Sequence, residues 1–380
     1  MWHAARVRGP RTACLCVLLL SACDVYHPEA FDRYDAGFDA SLPDAAVEDA
    51  SLMDAGTDAG TDAGMDAGTD AGPGCVSREP PLRPTGPDGD GPTVTYALRN
   101  VVLAQNGTIW NDLGYDLDET CTVGLDSLTC SPRGSASPQI DGADGVDNAA
   151  GREILAALTT GSPGLEIAAR AQQNAGLNAI LVMVEGWDGS DDDPHVTAWT
   201  AQTVYGVPDG GMRGDALLWD GTDTMFVSDA DFVDGDPAQP LIVDDGAYVA
   251  GRQLVMHLPE GRSIFLPWVD NPITLRLTDT VLTMDLSADG ASVTSARLAG
   301  RWALLDISTA LTQVGVCPGG SDRVTVDALV ERVADVRSDA TTDSLMLTCD
   351  AVSTALGFDG TTVRFGGTIP APPLADLCTP

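Results

Sequence analysis

Residues 273–298, ITLRLTDTVLTMDLSADGASVTSARL, contain the clearest structural signal in the chain. Apolar residues tend to occupy every second position in 273–277, 281–286 and 292–298, and a period of two is typical of β-strands with one buried face. Ala-Asp-Gly at 288–290 separates the last two segments and predicts a hairpin turn. The stretch therefore predicts consecutive strands that pair antiparallel.

The same alternation recurs on the N-terminal side of this stretch. It covers 93–103, 177–184, 195–207, 253–258 and 263–268. Helical spacing of apolar residues occurs in 149–158, 165–175, 302–311 and 324–336. A parallel alternating fold would need a helix after nearly every strand. The sequence therefore predicts a mainly β body with some α, an antiparallel β-sandwich-like single domain over 91–380 with a few flanking helices.

Residues 23–90 have a composition that cannot form a core. Asp, Ala, Gly, Pro and Thr are abundant, and 54–72 repeat Asp-Ala-Gly-Thr/Met with a period of four. Each glycine disfavours a helix by about 1 kcal/mol relative to alanine, and few apolar side chains are available for burial. The sequence predicts a disordered acidic tether whose root-mean-square reach is roughly 45 Å.

Residues 1–22 have the layout of a secretory signal peptide. Three arginines precede an apolar run over 13–20, and no acidic residue interrupts them. The run ends in Leu20-Ser-Ala-Cys23, which resembles the lipobox of bacterial lipoproteins, where a cysteine is lipidated after cleavage. The resemblance implies that Cys23 is the membrane anchor, since two or more acyl chains give stable attachment. Plain secretory cleavage, with Cys23 as an ordinary thiol, is the alternative.

Six of the nine cysteines remain after the signal peptide and the anchor. They are Cys75, Cys121, Cys130, Cys317, Cys349 and Cys378. An even number in an exported chain indicates disulfides. Proximity along the chain favours the pairs Cys121–Cys130 and Cys317–Cys349, which leaves Cys75–Cys378 near the two ends of the body. One or more free buried thiols are the alternative.

The composition excludes several classes of function. The chain has 56 Asp plus Glu against 20 basic residues, all of them arginine, and a net charge of −36. Lysine-dependent chemistry, such as a P-loop or a pyridoxal Schiff base, is therefore excluded. The negative charge disfavours nucleic acid as a partner. The body contains only His195 and His257, so the sequence indicates no histidine-rich metal site and no catalytic residue.

The acidic loops are the main candidates for a binding site. The candidate Ca²⁺ ligands are Asp141, Asp144, Asp147 and Asn148, on a glycine-containing loop before a predicted helix. Asp116 and Asp118 form a second closely spaced pair. Closely spaced oxygen ligands are what Ca²⁺ requires, although Ala143 and Gly145 break the EF-hand spacing. Helix capping by Asp147 or Asn148 and simple solubility are the alternatives.

Two further acidic clusters, 188–193 and 229–236, lie in the strand region near several tryptophans. The tryptophans are Trp187, Trp199, Trp219 and Trp268. Aromatic faces beside acidic loops occur in sugar-binding sandwiches, whereas core packing is the alternative for each tryptophan. Paired carboxylates also suit glycoside hydrolysis, but in so acidic a body such pairs arise by chance.

Several segments, together with the lipobox and the repeat, resemble a group of myxobacterial lipoproteins. They are Leu113–Asp118, Asp144–Asn148, Ala299–Trp302 and Cys349–Ser353. The resemblance covers most of the chain and implies export and anchoring in the bacterial envelope, at the outer membrane or cell surface, with the inner membrane as the alternative. It implies no activity.

The sequence thus predicts a lipid-anchored, disulfide-braced module that binds a glycan or another envelope component. Ca²⁺ is the one cofactor that it suggests. A carboxylate-based hydrolase on the same scaffold and a purely structural envelope component are the alternatives.

Overall fold

The structure is a computed structural model that describes residues 76–204, 216–268, 272–370 and 374–378. The predicted signal peptide, Cys23, Cys75 and the four-residue repeat lie outside the described residues. Within them, no helix combines the length and the apolar character that a membrane span requires.

Strands outnumber helices in the described part of the chain. The strands are β1 (Gly91–Val102), β2 (Cys130–Ser131), β3 (Ile180–Gly186), β4 (Asp193–Gln202), β5 (Thr224–Ser228), β6 (Ile242–Ala250), β7 (Gln253–Leu258), β8 (Ser263–Leu266), β9 (Ile273–Leu286), β10 (Ser292–Ala303), β11 (Ser344–Thr348), β12 (Ala351–Thr362) and β13 (Arg364–Ile369). The helices are α1 (Ile109–Leu113), α2 (Ala156–Gly161), α3 (Leu165–Asn174), α4 (Leu304–Gln313) and α5 (Ser321–Val333). A π-helical turn, Ala150–Leu155, leads directly into α2. The four predicted helices are confirmed, with ends shifted by a few residues.

Eight strands form a closed antiparallel barrel. Their order around the barrel is β1, β3, β4, β6, β7, β9, β10 and β12, and β12 pairs back with β1. Each barrel strand thus neighbours the next one along the chain, as in up-and-down barrels. The mainly β class with a few helices is confirmed. The sandwich arrangement is wrong, because pairing of the last barrel strand with the first closes one sheet on itself.

Two glycines let β12 complete the barrel. A Cβ atom at Gly357 would lie 2.7 Å from the side chain of Leu113 in α1. A Cβ atom at Gly360 would lie 2.7 Å from the carbonyl oxygen of Ala97 in β1. Glycine in a strand interior marks such close approaches, so these two positions let α1 and β1 pack directly against β12.

The barrel interior is filled by apolar side chains from alternate strand positions. Fully buried members include Leu98, Ile180, Val182, Leu254, Met256, Leu282, Met284 and Leu298. Leu282 is paired with Met256 on one side and Leu298 on the other. Each such side chain contributes about 1.5–3 kcal/mol by burial, and eight strands enclose just enough space for this packing. The interior is therefore a core rather than a ligand cavity.

The segment after α1 covers part of the outer face of the barrel. Tyr115 and Leu117 pack against Val255 and Val281, and the Tyr115 hydroxyl is 2.8 Å from Thr283 Oγ1. A second outer cluster joins α4, α5 and the π-helical turn around the Cys130–Cys349 disulfide. These two clusters place the acidic segments between the barrel wall and the helices.

The disulfides connect segments that are distant in the sequence. Cys130 is bonded to Cys349 and Cys317 to Cys378, and Cys121 is also disulfide-bonded. The predicted pairs Cys121–Cys130, Cys317–Cys349 and Cys75–Cys378 are therefore wrong. The reason is tertiary: β2, which begins with Cys130, lies parallel to β11, which ends one residue before Cys349.

Residues 76–90, which the sequence assigns to the tether, lie against the body. The amide of Asp116 donates to the carbonyl of Arg78 at 2.9 Å. The Tyr248 hydroxyl donates to the carbonyl of Pro81 at 2.6 Å. Part of the segment that the sequence assigns to the tether is therefore hydrogen-bonded to the body.

Candidate metal centre

Two loops and the end of α5 bring five acidic side chains together beside the barrel. They are Asp116, Asp118, Asp141, Asp147 and Asp335, and we call this group the acidic cage. An isolated antiparallel bridge between Tyr115 and Asp147 fixes the two loops side by side. The cage is thus assembled from residues more than two hundred positions apart in the chain.

Three carboxylates of the cage are close enough to share one ion. Asp116, Asp118 and Asp147 each offer an oxygen, and these oxygens all lie within 4.8 Å of one another. Ca²⁺–oxygen bonds are about 2.3–2.6 Å long, so two oxygens on the same ion are separated by at most about 5 Å. The spacing fits a single cation between the three groups.

Backbone amides hold these carboxylates in place. The amide of Leu117 donates to Asp147 Oδ2 at 2.8 Å. The amide of Thr120 donates to Oδ1 of both Asp116 and Asp118, at 3.0 Å in each case. The second loop is therefore tied to the first, and one amide ties Asp116 to Asp118.

One oxygen of Asp116 has no hydrogen-bond partner. The residue is 7% exposed, and its Oδ2 is buried without a partner among the described residues. Burial raises the pKa of Asp116, and the nearby Ser77 hydroxyl, which donates to Glu79, offsets this only in part. A Cβ atom at Gly145 would lie 2.5 Å from Oδ2, so glycine keeps this space open. A buried carboxylate oxygen left unpaired is costly, and a cation would satisfy it.

A small cavity lies beside the cage and is lined by four of its five carboxylates. Its acidic lining consists of Asp118, Asp141, Asp147 and Asp335. Its volume is about 10 Å³, which is the space of about one water molecule. A monatomic ion fits this volume, whereas an organic substrate does not.

Burial raises the pKa of the cage carboxyls. It raises the pKa of Asp118 to about 7, that of Asp141 to about 8 and that of Asp335 to about 6. The pKa of Asp147 is raised well above its ordinary value by burial and by the neighbouring carboxylates. The concentration of buried negative charge makes the charged cage unfavourable unless a proton or a cation compensates it.

The raised pKa values predict how stability depends on pH when Ca²⁺ is chelated. The folded state holds cage protons that the unfolded state releases near pH 4. The free energy of unfolding in EDTA should therefore fall as the pH rises from about 4 to about 8. Ca²⁺ binds the deprotonated carboxylates and should remove this fall. Urea unfolding at several pH values tests this, and stability that rises with pH in EDTA would contradict it.

The structure brings together two of the four predicted Ca²⁺ ligands. Asp141 and Asp147 belong to the cage. Asp144 points away from it, with a side chain 51% exposed and an ion pair to Arg78 at 3.2 Å. Asn148 is buried and holds the π-helical turn to β12, because its Oδ1 accepts from the amides of Gly151 and Ala355. Asn148 is therefore a structural residue.

Asp335 is the cage residue that sequence reasoning missed. It is a single acid after α5, and its carboxylate accepts from the amide of Ser353 at 2.8 Å. No local pattern distinguishes it from the many other acids. The close spacing of Asp116 and Asp118 indicated a possible binding pair. The spacing alone could not show that the loop with Asp141 and Asp147 lies beside them.

The other two predicted acidic clusters lie in connecting segments that are tied to distant parts of the body. Asp191 pairs with Arg252 at 2.6 Å, and Asp231 Oδ2 accepts from the amide of Gln202 at 2.6 Å. Trp187 and Trp199 are buried, and Trp219 and Trp268 pack against the apolar clusters. The four tryptophans thus contribute to packing, as in the alternative interpretation.

Comparisons with protein-family models, with curated proteins and with solved structures find no match to this chain. The functional proposal therefore depends on the geometry of the chain itself.

Proposed function

We propose that the protein is an exported, lipid-anchored module of the bacterial envelope whose barrel body binds one Ca²⁺ ion in the acidic cage. The observation that carries the proposal is the set of three carboxylate oxygens within 4.8 Å of one another. The buried Oδ2 of Asp116, which accepts no hydrogen bond among the described residues, is an independent indication of a cation site.

The ligand chemistry favours Ca²⁺ over other metals. The cage offers only carboxylate oxygens, which suit hard cations, whereas Zn²⁺ sites in proteins are built mainly from histidine and cysteine ligands. Mg²⁺ usually keeps several waters and needs near-octahedral geometry, and a cavity of about 10 Å³ leaves little space for those waters.

The same dimensions disfavour a hydrolase that uses the cage carboxyls. A general acid and a second carboxylate must lie on either side of a sugar ring. The cavity has space for one atom-sized occupant, so a sugar ring does not fit between Asp118 and Asp141. The cage therefore supports cation binding rather than catalysis.

Thermal unfolding of the oxidised full-length protein tests the cation site. A ligand that binds only the folded state raises the free energy of unfolding by about 2.7 kcal/mol at 100 times its Kd. We expect the midpoint to rise in millimolar Ca²⁺ relative to EDTA, and to rise much less with Mg²⁺. Asp118→Asn should abolish the rise. Asp144→Asn is a matched change on the loop that carries Asp141 and Asp147, but its side chain is exposed and lies outside the cage, so this variant should retain the rise. Equal responses of the two variants would contradict the assignment.

The anchor is tested separately from the cation site. We expect Cys23→Ser to move the exported protein from the membrane fraction to the soluble fraction, because the residue that would carry the acyl chains is removed. Cys16→Ser, in the predicted signal peptide, should leave the protein with the membranes. Fractionation followed by immunoblotting measures both, and membrane retention of Cys23→Ser would contradict the anchor.

A further inference from the structure

A larger recess, which we call the outer cleft, lies on the outer face of the barrel. Its lining consists of Arg78, Glu79, Asp112, Tyr115, Gln253 and Arg297. Its volume is about 510 Å³, which lies within the usual range for small-molecule sites, about 300–1,000 Å³. The outer cleft is separate from the cavity of the acidic cage.

Rigid elements form the outer cleft. Gln253 on β7 and Arg297 on β10 lie on the outer face of the barrel, on either side of β9. Tyr115 is fixed to the same face through its contact with Thr283. Arg78 is fixed by a hydrogen bond from Nη1 to the carbonyl of Asn111 at 2.5 Å. A ligand would therefore meet a preformed surface.

Arg297 is the cation of the outer cleft that has no carboxylate partner. The side chain is half-buried, and its Nε donates to the carbonyl of Asp112 at 3.2 Å. That bond uses only Nε. The two terminal nitrogens of Arg297 form no ion pair with any carboxylate in the described part of the chain. In a protein with 56 acidic residues, such a guanidinium is available for an external carboxylate.

Two carboxylates of the outer cleft complement this arginine. Asp112 and Glu79 are both exposed, and neither forms an ion pair within the described ranges. The Glu79 carboxylate accepts one hydrogen bond, from the Ser77 hydroxyl at 3.3 Å. The outer cleft thus presents an unpaired cation and two unpaired anions to the same space.

We propose that the outer cleft binds a zwitterionic molecule of the amino-acid or short-peptide class. The two terminal nitrogens of Arg297 match a carboxylate in a bidentate geometry, and Asp112 and Glu79 receive the ammonium group. A polyanion would be repelled by a protein of net charge −36, whereas a zwitterion carries no net charge. This proposal goes beyond the cation site and does not depend on it.

Calorimetric titration of the oxidised full-length protein with tri-alanine tests the proposal. We expect saturable binding in the millimolar range or tighter. Tri-alanine with an acetylated amino group and tri-alanine amide each lack one charge, and each should bind about tenfold more weakly or worse. Arg297→Gln should weaken tri-alanine binding to a similar extent. Arg262→Gln, a matched change at an exposed arginine outside the outer cleft, should leave the affinity unchanged.

The proposal would be overturned by the absence of saturable tri-alanine binding, by equal binding of the capped peptides, or by unchanged affinity in Arg297→Gln. Tighter binding of glucuronate than of tri-alanine would also overturn it, in favour of a sugar acid. The thermal response to Ca²⁺ should be the same in Arg297→Gln as in the unmodified protein, so failure at the outer cleft is distinguishable from failure of the cation site.

Discussion

Arg301→Met is expected to lower the free energy of unfolding by about 3–5 kcal/mol, the usual cost of removing one partner of a buried ion pair. The Arg301 side chain is 1% exposed. Its Nη1 lies 2.9 and 3.0 Å from the two carboxylate oxygens of Asp343, and its Nη2 donates to the carbonyl of Leu117. Methionine fills similar space but has no donor, so the carbonyl of Leu117 and the half-buried carboxylate of Asp343 both lose their hydrogen-bond donor.

The same variant should impair the cation site. Leu117 lies between Asp116 and Asp118, so Arg301 holds the segment that supplies two cage carboxylates. We expect urea unfolding of Arg301→Met to show both the loss of stability and a smaller response to Ca²⁺. Arg332→Met, at an exposed position of α5, should change stability by no more than about 0.5 kcal/mol. An equally small change in stability for Arg301→Met would show that the buried guanidinium contributes little to the stability of the fold.

Removal of the Cys130–Cys349 disulfide is expected to have an effect of similar size. The bond joins residues separated by 219 positions, and the chain-entropy relation gives about 5 kcal/mol for a closed loop of this length. Both cysteines also line the cavity of the acidic cage. The double variant Cys130→Ser/Cys349→Ser should therefore lose stability in urea and also lose its response to Ca²⁺.

The second disulfide provides the matched control. Cys317 and Cys378 are separated by 61 positions, so their removal should cost about 4 kcal/mol by the same relation. This bond does not line the cage, and Cys317→Ser/Cys378→Ser should keep its Ca²⁺ response at temperatures where it remains folded. Loss of the Ca²⁺ response in both variants would indicate a general loss of folding. Retention of the response in both would show that Ca²⁺ binding does not require the Cys130–Cys349 disulfide.

The strand content of the fold could be predicted because a period of two is local. The stretch 273–298 forms β9, a turn and most of β10, which confirms the strands and the turn, although the predicted strands 273–277 and 281–286 are joined in the single strand β9. The closure of the barrel could not be predicted in this way. β12 contains Gly357 and Gly360, which weaken the sequence signal of a strand, yet these glycines permit the close packing that completes the barrel.

The site was predictable only in part, because sequence spacing reveals local neighbours and not contacts formed by tertiary packing. Asp141 and Asp147 stand out because they share a short loop, and Asp116 and Asp118 because they are two residues apart. Asp335 joins them because the segment after α5 pairs with β12 through the Val336–Ala351 bridge, which no local spacing reveals. The disulfides also follow tertiary proximity, so pairing cysteines by sequence distance gave the wrong partners.

The most direct test of the proposed function is a calorimetric titration of Ca²⁺ into the oxidised full-length protein after chelator treatment. Binding with a stoichiometry of one ion per chain is the predicted result, with the signal lost in Asp118→Asn and retained in Asp144→Asn. Absence of saturable binding to the unmodified protein, or undiminished binding to Asp118→Asn, would contradict the assignment of the acidic cage as a Ca²⁺ site.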